Sequence, residues 1–460
     1  MSHRPSSIDL PSRLARSLRA RLERRLERYA RAALLRSART RPGPAAVATA
    51  DRRVVIVLAS AWGMGGTIRA ALNLAGHLAP DHDVEILSAH RRRNTPFMGE
   101  FPAGVTVTAL DDQRPGAQSG LEGRLASLLR RCPSRLVHPA DTAGYPGFSL
   151  WSDIQLVRRL RGGAGVVIGT RPGVNIMLAD LALPAFAVIG EEQMNLGSHA
   201  RALRTAMARS YGRLDALAVL TETDSAAYRE LLGAAAPRIV RLPNTVHRLD
   251  ERKSDLDAKL VLAAGRATPQ KGFDLLIRAW AQVAPAHPDW RLRLHCHGQS
   301  RDTLIALRDQ LGLTDQIAIY LGAKKLPLRM RQASIYALSS RFEGFPLVLL
   351  EAMGSGMGVV AFDCPTGPRD VVDDHRNGLL VPARDVDAFA AALTEMIEDE
   401  SLRRSCAAAA VETAHGYTMA VIGARWVTLL HELRAARFPG PGTPARRRSG
   451  AGDSHPAVLV

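Results

Sequence analysis

Glu343 and Glu351 stand eight residues apart in the stretch "SSRFEGFPLVLLEAMGSGMGVVAFDCPTG", with apolar residues between them and glycines on either side. An ionised carboxylate accepts hydrogen bonds through two oxygens, so each of these residues can hold a pair of hydroxyls. "GFP" behind the strand-like "SIYALSS" reads as a tight strand-to-helix turn, and Pro346 suits a first helical turn. The unpaired N–H groups of such a turn favour an anion. The stretch could therefore hold a sugar at Glu343, a ribose at Glu351 and phosphates against the backbone between them. A helix cap at Glu343 and a surface ion pair at Glu351 would account for the same residues. A second constellation, "GRATPQKGFDLL", also follows a strand and opens a helix. Arg266 and Lys271 flank its turn at Pro269, and two cations beside a helix N-terminus suit a diphosphate. The ordinary alternative is a solvated lysine and an arginine paired with a nearby acid.

The elements that must position these groups alternate in a regular way. From residue 53, "RVVIVLAS" is a continuous β-branched run of the kind found in buried parallel strands. A glycine-rich loop "AWGMGG", a helix "TIRAALNLAGHLAP" and a second strand "HDVEILSA" follow. Further strands are predicted at "GVTVTAL", "GVVIGT", "AFAVIG" and "ALAVLT". The pattern pauses near "RIVRLPNTVHRLDERKSD" and restarts at "AKLVLAAGR". Two Rossmann-like, doubly wound α/β domains are predicted, 51–245 and 246–415, with ligands in the crevice at the carboxyl ends of their strands. Residues 438–460 read as a disordered tail.

The bulk composition narrows the class. The chain has 460 residues, 46% of them hydrophobic, which suits two or three domains with sizeable cores. No long apolar run predicts a transmembrane helix, and the N-terminus lacks an apolar signal core. Cys132, Cys296, Cys364 and Cys406 are far apart, which predicts reduced thiols in a cytoplasmic protein rather than a zinc or disulfide framework. The net charge is +17. Residues 1–50 hold twelve arginines against Asp9, Glu23 and Glu27, so over half the excess sits in a leader and linker. Leu14, Leu18, Leu22 and Leu26 recur every four residues there, a narrow stripe on a basic helix. Residues 1–40 could lie on an anionic membrane surface; a packed helix or a solvated tail would show the same stripe. No nucleic-acid partner is expected. The Asp-x-Asp triples at Asp81/Asp83, Asp255/Asp257 and Asp385/Asp387 read as turn and cap residues.

The two constellations together, with "NGLLVPARD", "RLPNTV" and "GMGGTIRAALNLAGHLAPDHDVEILS", resemble the retaining glycosyltransferases of sequence family 4, which have the GT-B fold. The resemblance covers roughly residues 53–432. It implies a nucleotide-sugar donor, UDP before GDP, and a glycan or lipid-linked acceptor at the inner membrane face. It implies no metal and no cofactor. Arg266 and Lys271 would bind the donor diphosphate, Glu343 the transferred sugar, and the backbone of Gly344, Phe345, Pro346, Leu347 and Val348 its hydroxyls and phosphate. Glu351 would hold the ribose, and Gly65 and Gly66 would let acceptor and phosphate approach the first helix. Residues 416–437 would form a closing helix that crosses back onto the first domain, with Trp426 as its anchor. Many members carry a histidine after a middle strand of that domain; here the candidates are Glu191, Glu192, Gln193 and, after these, His199. A non-catalytic sugar-nucleotide or glycan-binding protein is the alternative, and a GT-B epimerase or phosphorylase a further one. Fold alone does not separate them.

Overall fold

The structure is a computed structural model and describes residues 25–246, 249, 252–322 and 326–438. The strands of the first sheet are β1 Arg53–Leu58, β2 Asp83–Ser88, β3 Thr106–Ala109, β4 Gly165–Gly169, β5 Phe186–Glu191, β6 Ala216–Val219 and β7 Arg238–Arg241. Those of the second are β8 Leu260–Arg266, β9 Arg291–His297, β10 Ile317–Leu321, β11 Ile335–Leu338, β12 Gly358–Asp363 and β13 Leu379–Pro382. All pair in parallel, in the orders β3-β2-β1-β4-β5-β6-β7 and β10-β9-β8-β11-β12-β13. The two doubly wound sheets match the expected architecture. β7, an edge strand in "RIVR", lies where the sequence pattern pauses and was not foreseen.

Alternation along the buried strands feeds a helix layer on each face. Val55 and Val57 enter one core of the first domain; Val54 and Ile56 enter the other. A parallel strand covered on both faces has no polar side, which is why "RVVIVL" is apolar throughout. In each sheet the strand order reverses between the first strand and the one three later, at β1/β4 and at β8/β11. Crevices at such reversals bind ligands because the loops there run to opposite faces and leave a gap. Of the positions singled out in the second domain, Lys271 and Glu343 lie on the two loops at its reversal, Arg266 ends β8, and Glu351 lies on the helix that follows the second loop.

The final helix, Met419–Arg437, crosses back onto the first domain. Trp426, Ile422 and Leu430 are buried in the core that contains Ile56, Leu74 and Ala187. At Gly423 a Cβ would lie 2.4 Å from the His77 ring, so the crossing against helix Gly66–Leu78 needs a glycine.

The basic N-terminal stretch does not stand wholly apart. Residues 25–38 are helical. Ala38 is buried in a first-domain core, and Leu34 and Leu35 pack against it. Arg31 donates to the Arg135 carbonyl at 2.6 Å and pairs with Asp180; Glu27 pairs with Arg135 at 2.8 Å. Residues 31–38 are thus part of the first domain's packing, outside the 51–245 span expected from the sequence. Leu14, Leu18 and Leu22 fall outside the described residues, as does the tail from 439.

Candidate active site

β8 delivers Arg266 at its end, and a short turn, Pro269–Lys271, leads into helix Phe273–Val283. Gly272 adopts φ 59°, and a Cβ there would lie 2.0 Å from the Ser339 carbonyl oxygen. Glycine thus permits contact between this turn and the one after β11. Ser339 Oγ donates to the Lys271 carbonyl at 3.1 Å, and Gln270 Nε2 to the Phe342 carbonyl at 3.1 Å. Arg341 Nη1 donates to the Pro269 carbonyl at 2.8 Å and its guanidinium pairs with Asp274.

Stitched in this way, the two turns bring Lys271 Nζ within 2.6 Å of Glu343 Oε1. Ser340 Oγ donates to the same oxygen at 2.6 Å. Glu343 is 5% exposed, so its charge is answered by a cation and a hydroxyl instead of water. It does not cap the following helix: Pro346 occupies the N-cap position of helix Leu347–Gly354, with no side-chain cap. The helix starts one residue after the expected Pro346. Among the described residues the N–H groups of Gly344, Phe345 and Val348 make no hydrogen bond, and they lie between the two carboxylates in sequence. Arg266 is exposed and, among the described residues, unpaired.

Glu351 sits on that same helix. Burial pushes its carboxyl above the usual carboxylate range, and Arg69 opposes the shift. Arg69 belongs to helix Gly66–Leu78 of the first domain, and its Nη1 lies 3.8 Å from Glu351 Oε1. The pair spans the crevice. Gly65, at φ 155°, precedes this helix and lines a hollow of about 350 Å³ with Thr67, His90, Thr170 and Arg171.

The loop after β5 closes on the same place. Asn195 Nδ2 donates to the Glu343 carbonyl at 3.0 Å, and the Thr366 hydroxyl donates to it as well. A Cβ at Gly344 would lie 3.0 Å from the Gln193 carbonyl oxygen. Gln193 Nε2 donates to Glu191 Oε1 at 2.6 Å, and its own Oε1 accepts from Asn244 at 2.8 Å. Burial raises the Glu191 carboxyl to about 7. Glu192 points elsewhere: it accepts from Asn175 Nδ2 at 2.8 Å and from the Tyr211 hydroxyl, and faces His199 Nε2 at 3.5 Å. Glu192 and His199 thus face each other and the first domain's Asn175 and Tyr211, whereas Glu191 and Gln193 pair with each other on the side of Gly344. Glu192 is 2% exposed; its Oε1 is held by Asn175 and Tyr211, while its Oε2 faces His199 Nε2 without a hydrogen bond.

Sequence reasoning missed Arg69, Asn195, Ser340 and Thr366. Thr366 lies at φ 61°, yet "CPTG" gave no sign of its reach to Glu343, and no spacing rule connects Asn195 to a residue 148 positions away. The Asp385 cap reading is matched by the structure: Asp385 Oδ1 accepts from the Ala388 amide at 3.0 Å.

Residues 248–413, which hold both turns, match the family model described as glycosyl transferases group 1. Over 421 residues, 87% of this chain, the sequence is 35% identical to an exopolysaccharide phosphotransferase of Streptomyces coelicolor. The chain spans only 44% of that protein's length. An amylovoran biosynthesis glycosyltransferase of Erwinia amylovora is 28% identical over 249 residues, 52% of this chain and 69% of that one. The solved structure of the pneumococcal O-GlcNAc transferase GtfA, in complex with UDP and GlcNAc, aligns with a TM-score of 0.64 at 14% identity. The alignment covers 83% of this chain and 99% of that one. The likeness establishes the GT-B fold.

Proposed function

We propose that this chain transfers a sugar from a nucleotide diphosphate, UDP in preference to GDP, to an acceptor hydroxyl with the anomeric configuration retained. The acceptor is a glycan or lipid-linked glycan in the synthesis of a surface polysaccharide, a teichoic-acid-type polymer or a glycolipid. The observation that carries this reading is the Lys271–Glu343 pair at 2.6 Å, at the carboxyl edge of the second sheet. Unpaired amides follow it directly, and Glu351 lies on the same helix.

In this reading the donor's diphosphate takes the place of Glu343 as the partner of Lys271. Arg266, exposed at the end of β8, adds a second cation. The two charges and the amides of Gly344, Phe345 and Val348 stabilise the leaving diphosphate as its bond to the sugar breaks. Lys271 and Arg266 do the work a metal ion does elsewhere, so the proposal includes neither metal nor cofactor. Glu343, released from Lys271, accepts from sugar hydroxyls; Glu351 accepts from the ribose. The leaving diphosphate takes the acceptor proton. Retention rests on the family resemblance of the motifs, and the UDP preference is supported by the UDP in the GtfA structure.

The name of the Streptomyces relative favours a second reading, transfer of a sugar phosphate. The two differ in the bond that breaks. Glycosyl transfer cleaves the sugar C1–O bond and releases a nucleoside diphosphate; phosphotransfer cleaves within the diphosphate and releases a nucleoside monophosphate. The full-length protein should be incubated with a panel of UDP- and GDP-sugars and acceptors, and the released nucleotide and the anomeric configuration of the product determined. Release of nucleoside diphosphate with retention is expected. Release of monophosphate would establish the second reading, and tight binding of sugar nucleotide without turnover would establish a binding protein.

A further inference from the structure

Helix Gly120–Arg130 leaves its apolar side uncovered. Leu121, Leu125 and Leu128 are 85%, 49% and 61% exposed. Their spacing, i, i+4 and i+7, puts all three on one stripe of the helix. The opposite side attaches the helix to its domain: Ala126 is buried, and Arg130 donates to both Asp111 oxygens, at 2.8 and 2.6 Å. The leucines are therefore not the packing face of a misplaced helix; packing is already satisfied elsewhere. Three aligned exposed leucines are unusual on a solvated surface and mark an interaction site.

The charges beside the stripe select the occupant. At 100° per residue Arg124 and Arg131 flank the leucines on one side, and both are exposed and unpaired among the described residues. Glu122 falls towards the opposite flank. The neighbouring loop adds Arg92 and Arg93, with Phe97 53% exposed. The segment before the helix is joined to that loop, since Arg114 Nη1 donates to Asn94 Oδ1 at 3.0 Å. A second copy of the chain would bring the same arginines against these. The chain's own residues 1–24 are rich in arginine and would do likewise. An anionic lipid surface suits both halves of the patch.

We propose that helix Gly120–Arg130 is a membrane-docking element: Leu121, Leu125 and Leu128 enter the headgroup–acyl boundary of an anionic bilayer while Arg124 and Arg131 meet lipid phosphates. Arg92 lines both the hollow beside Gly65 and one beside Gly116, in the segment that precedes this helix in the chain. Docking there places the crevice mouth of the first domain close to the lipid surface, where a lipid-linked acceptor would present its glycan. No described helix is long and apolar enough to cross a membrane, and interfacial docking needs none.

The test uses the full-length chain and phosphatidylglycerol or phosphatidylcholine vesicles, without donor or acceptor, so its outcome is independent of the transferase reading. Wild-type protein should co-sediment with the anionic vesicles and not with the neutral ones. The variant L121Q/L125Q/L128Q should lose about tenfold or more in vesicle affinity, since each leucine withdraws several methylene-sized groups from the interface. It should melt close to wild type, because all three side chains are about half or more exposed. R124Q/R131Q should weaken binding and reduce its salt dependence. Wild-type vesicle affinity in the leucine variant would overturn the proposal and assign any binding to the basic N-terminus. A wild-type dimer in sedimentation velocity that the leucine variant abolishes would overturn it in favour of a second copy.

Discussion

Lys271 Nζ donates to Glu343 Oε1 at 2.6 Å across a sequence separation of 72 residues, joining the two loops at the strand-order reversal of the second sheet. The side chains are 15% and 6% exposed. In that setting removal of either partner leaves a charge that water reaches poorly, so each residue affects both stability and ligand binding.

Glu343→Gln should abolish most sugar transfer while the fold persists. Asn195 and Thr366 hold the Glu343 carbonyl, which the substitution keeps. Loss of a hydrogen bond to a charged group is worth roughly 1.5–3 kcal/mol, or about 10- to 150-fold in turnover. Turnover with the true donor, alongside a thermal melt, checks this; unchanged turnover would assign Glu343 a structural role.

Lys271→Ala and Arg266→Ala should diverge in stability but agree in binding. Arg266 is exposed and unpaired among the described residues, so its loss should shift stability by no more than about 0.5 kcal/mol. Lys271→Ala strands the Glu343 carboxylate and should cost roughly 1–3 kcal/mol. Both should weaken nucleoside diphosphate more than free nucleoside, measured by calorimetry. EDTA should leave turnover unchanged, and dependence on added manganese or magnesium would overturn the proposed roles of the two cations.

Arg69→Ala should move the acid limb of nucleotide binding to higher pH. Burial holds the Glu351 carboxyl above the usual range and Arg69 draws it back. Without Arg69 the carboxyl protonates at higher pH and ceases to accept from both ribose hydroxyls. The exposed guanidinium limits the effect to about 0.2–1 kcal/mol, or up to roughly fivefold in affinity. Dissociation constants across pH for wild type, Arg69→Ala and Glu351→Gln provide the check, with the last variant expected to lose this limb.

Stability should fall with rising pH because of Glu191. Its carboxyl is raised from an ordinary 4.5 to about 7 by burial. The folded state therefore binds this proton more tightly than the unfolded one, and the contribution is complete below 4.5 and lost as pH rises through about 7. Glu191→Gln, which keeps an oxygen for Gln193, should flatten that part of the profile and melt higher than wild type at pH 8. Parallel profiles for the two proteins would show that Glu191 is ionised without penalty.

Shortening the chain should separate the two parts of its basic N-terminus. A protein beginning at residue 25 retains Arg31, Leu34, Leu35 and Ala38 and should melt as the full chain does. One beginning at Asp51 loses the Arg31–Asp180 pair and the buried Ala38 and should melt several degrees lower, about 1–3 kcal/mol for contacts of this kind. Equal melting of the two would show that residues 31–38 add nothing to the first domain.

Much of the molecule is decided by local chemistry that a sequence displays. Continuous β-branched runs such as "RVVIVL" have only one stable home, a strand covered on both faces, and their alternation with amphipathic helices dictates two doubly wound domains. Glu343, Glu351, Arg266 and Lys271 were legible because strand-to-helix turns carry their own signatures in Gly, Pro and charge. Tertiary structure decided which of these residues meet. Lys271 takes Glu343 because Gly272 lets one turn lie against Ser339, whereas Arg266 is left to solvent. Glu192 turns inward because one step along the chain after Glu191 reverses the direction of a side chain, and His199 faces it from beyond the turn Leu196–Ser198. Arg69 and Asn195 reach the site from the first domain, and only the meeting of the two domains brings them there, while Thr366 comes from the loop after β12 of the second domain itself. The leucine stripe of helix Gly120–Arg130 was invisible for the converse reason. An amphipathic pattern specifies that a face is apolar, but whether that face is buried depends on what the rest of the fold sets against it, and here nothing among the described residues covers it.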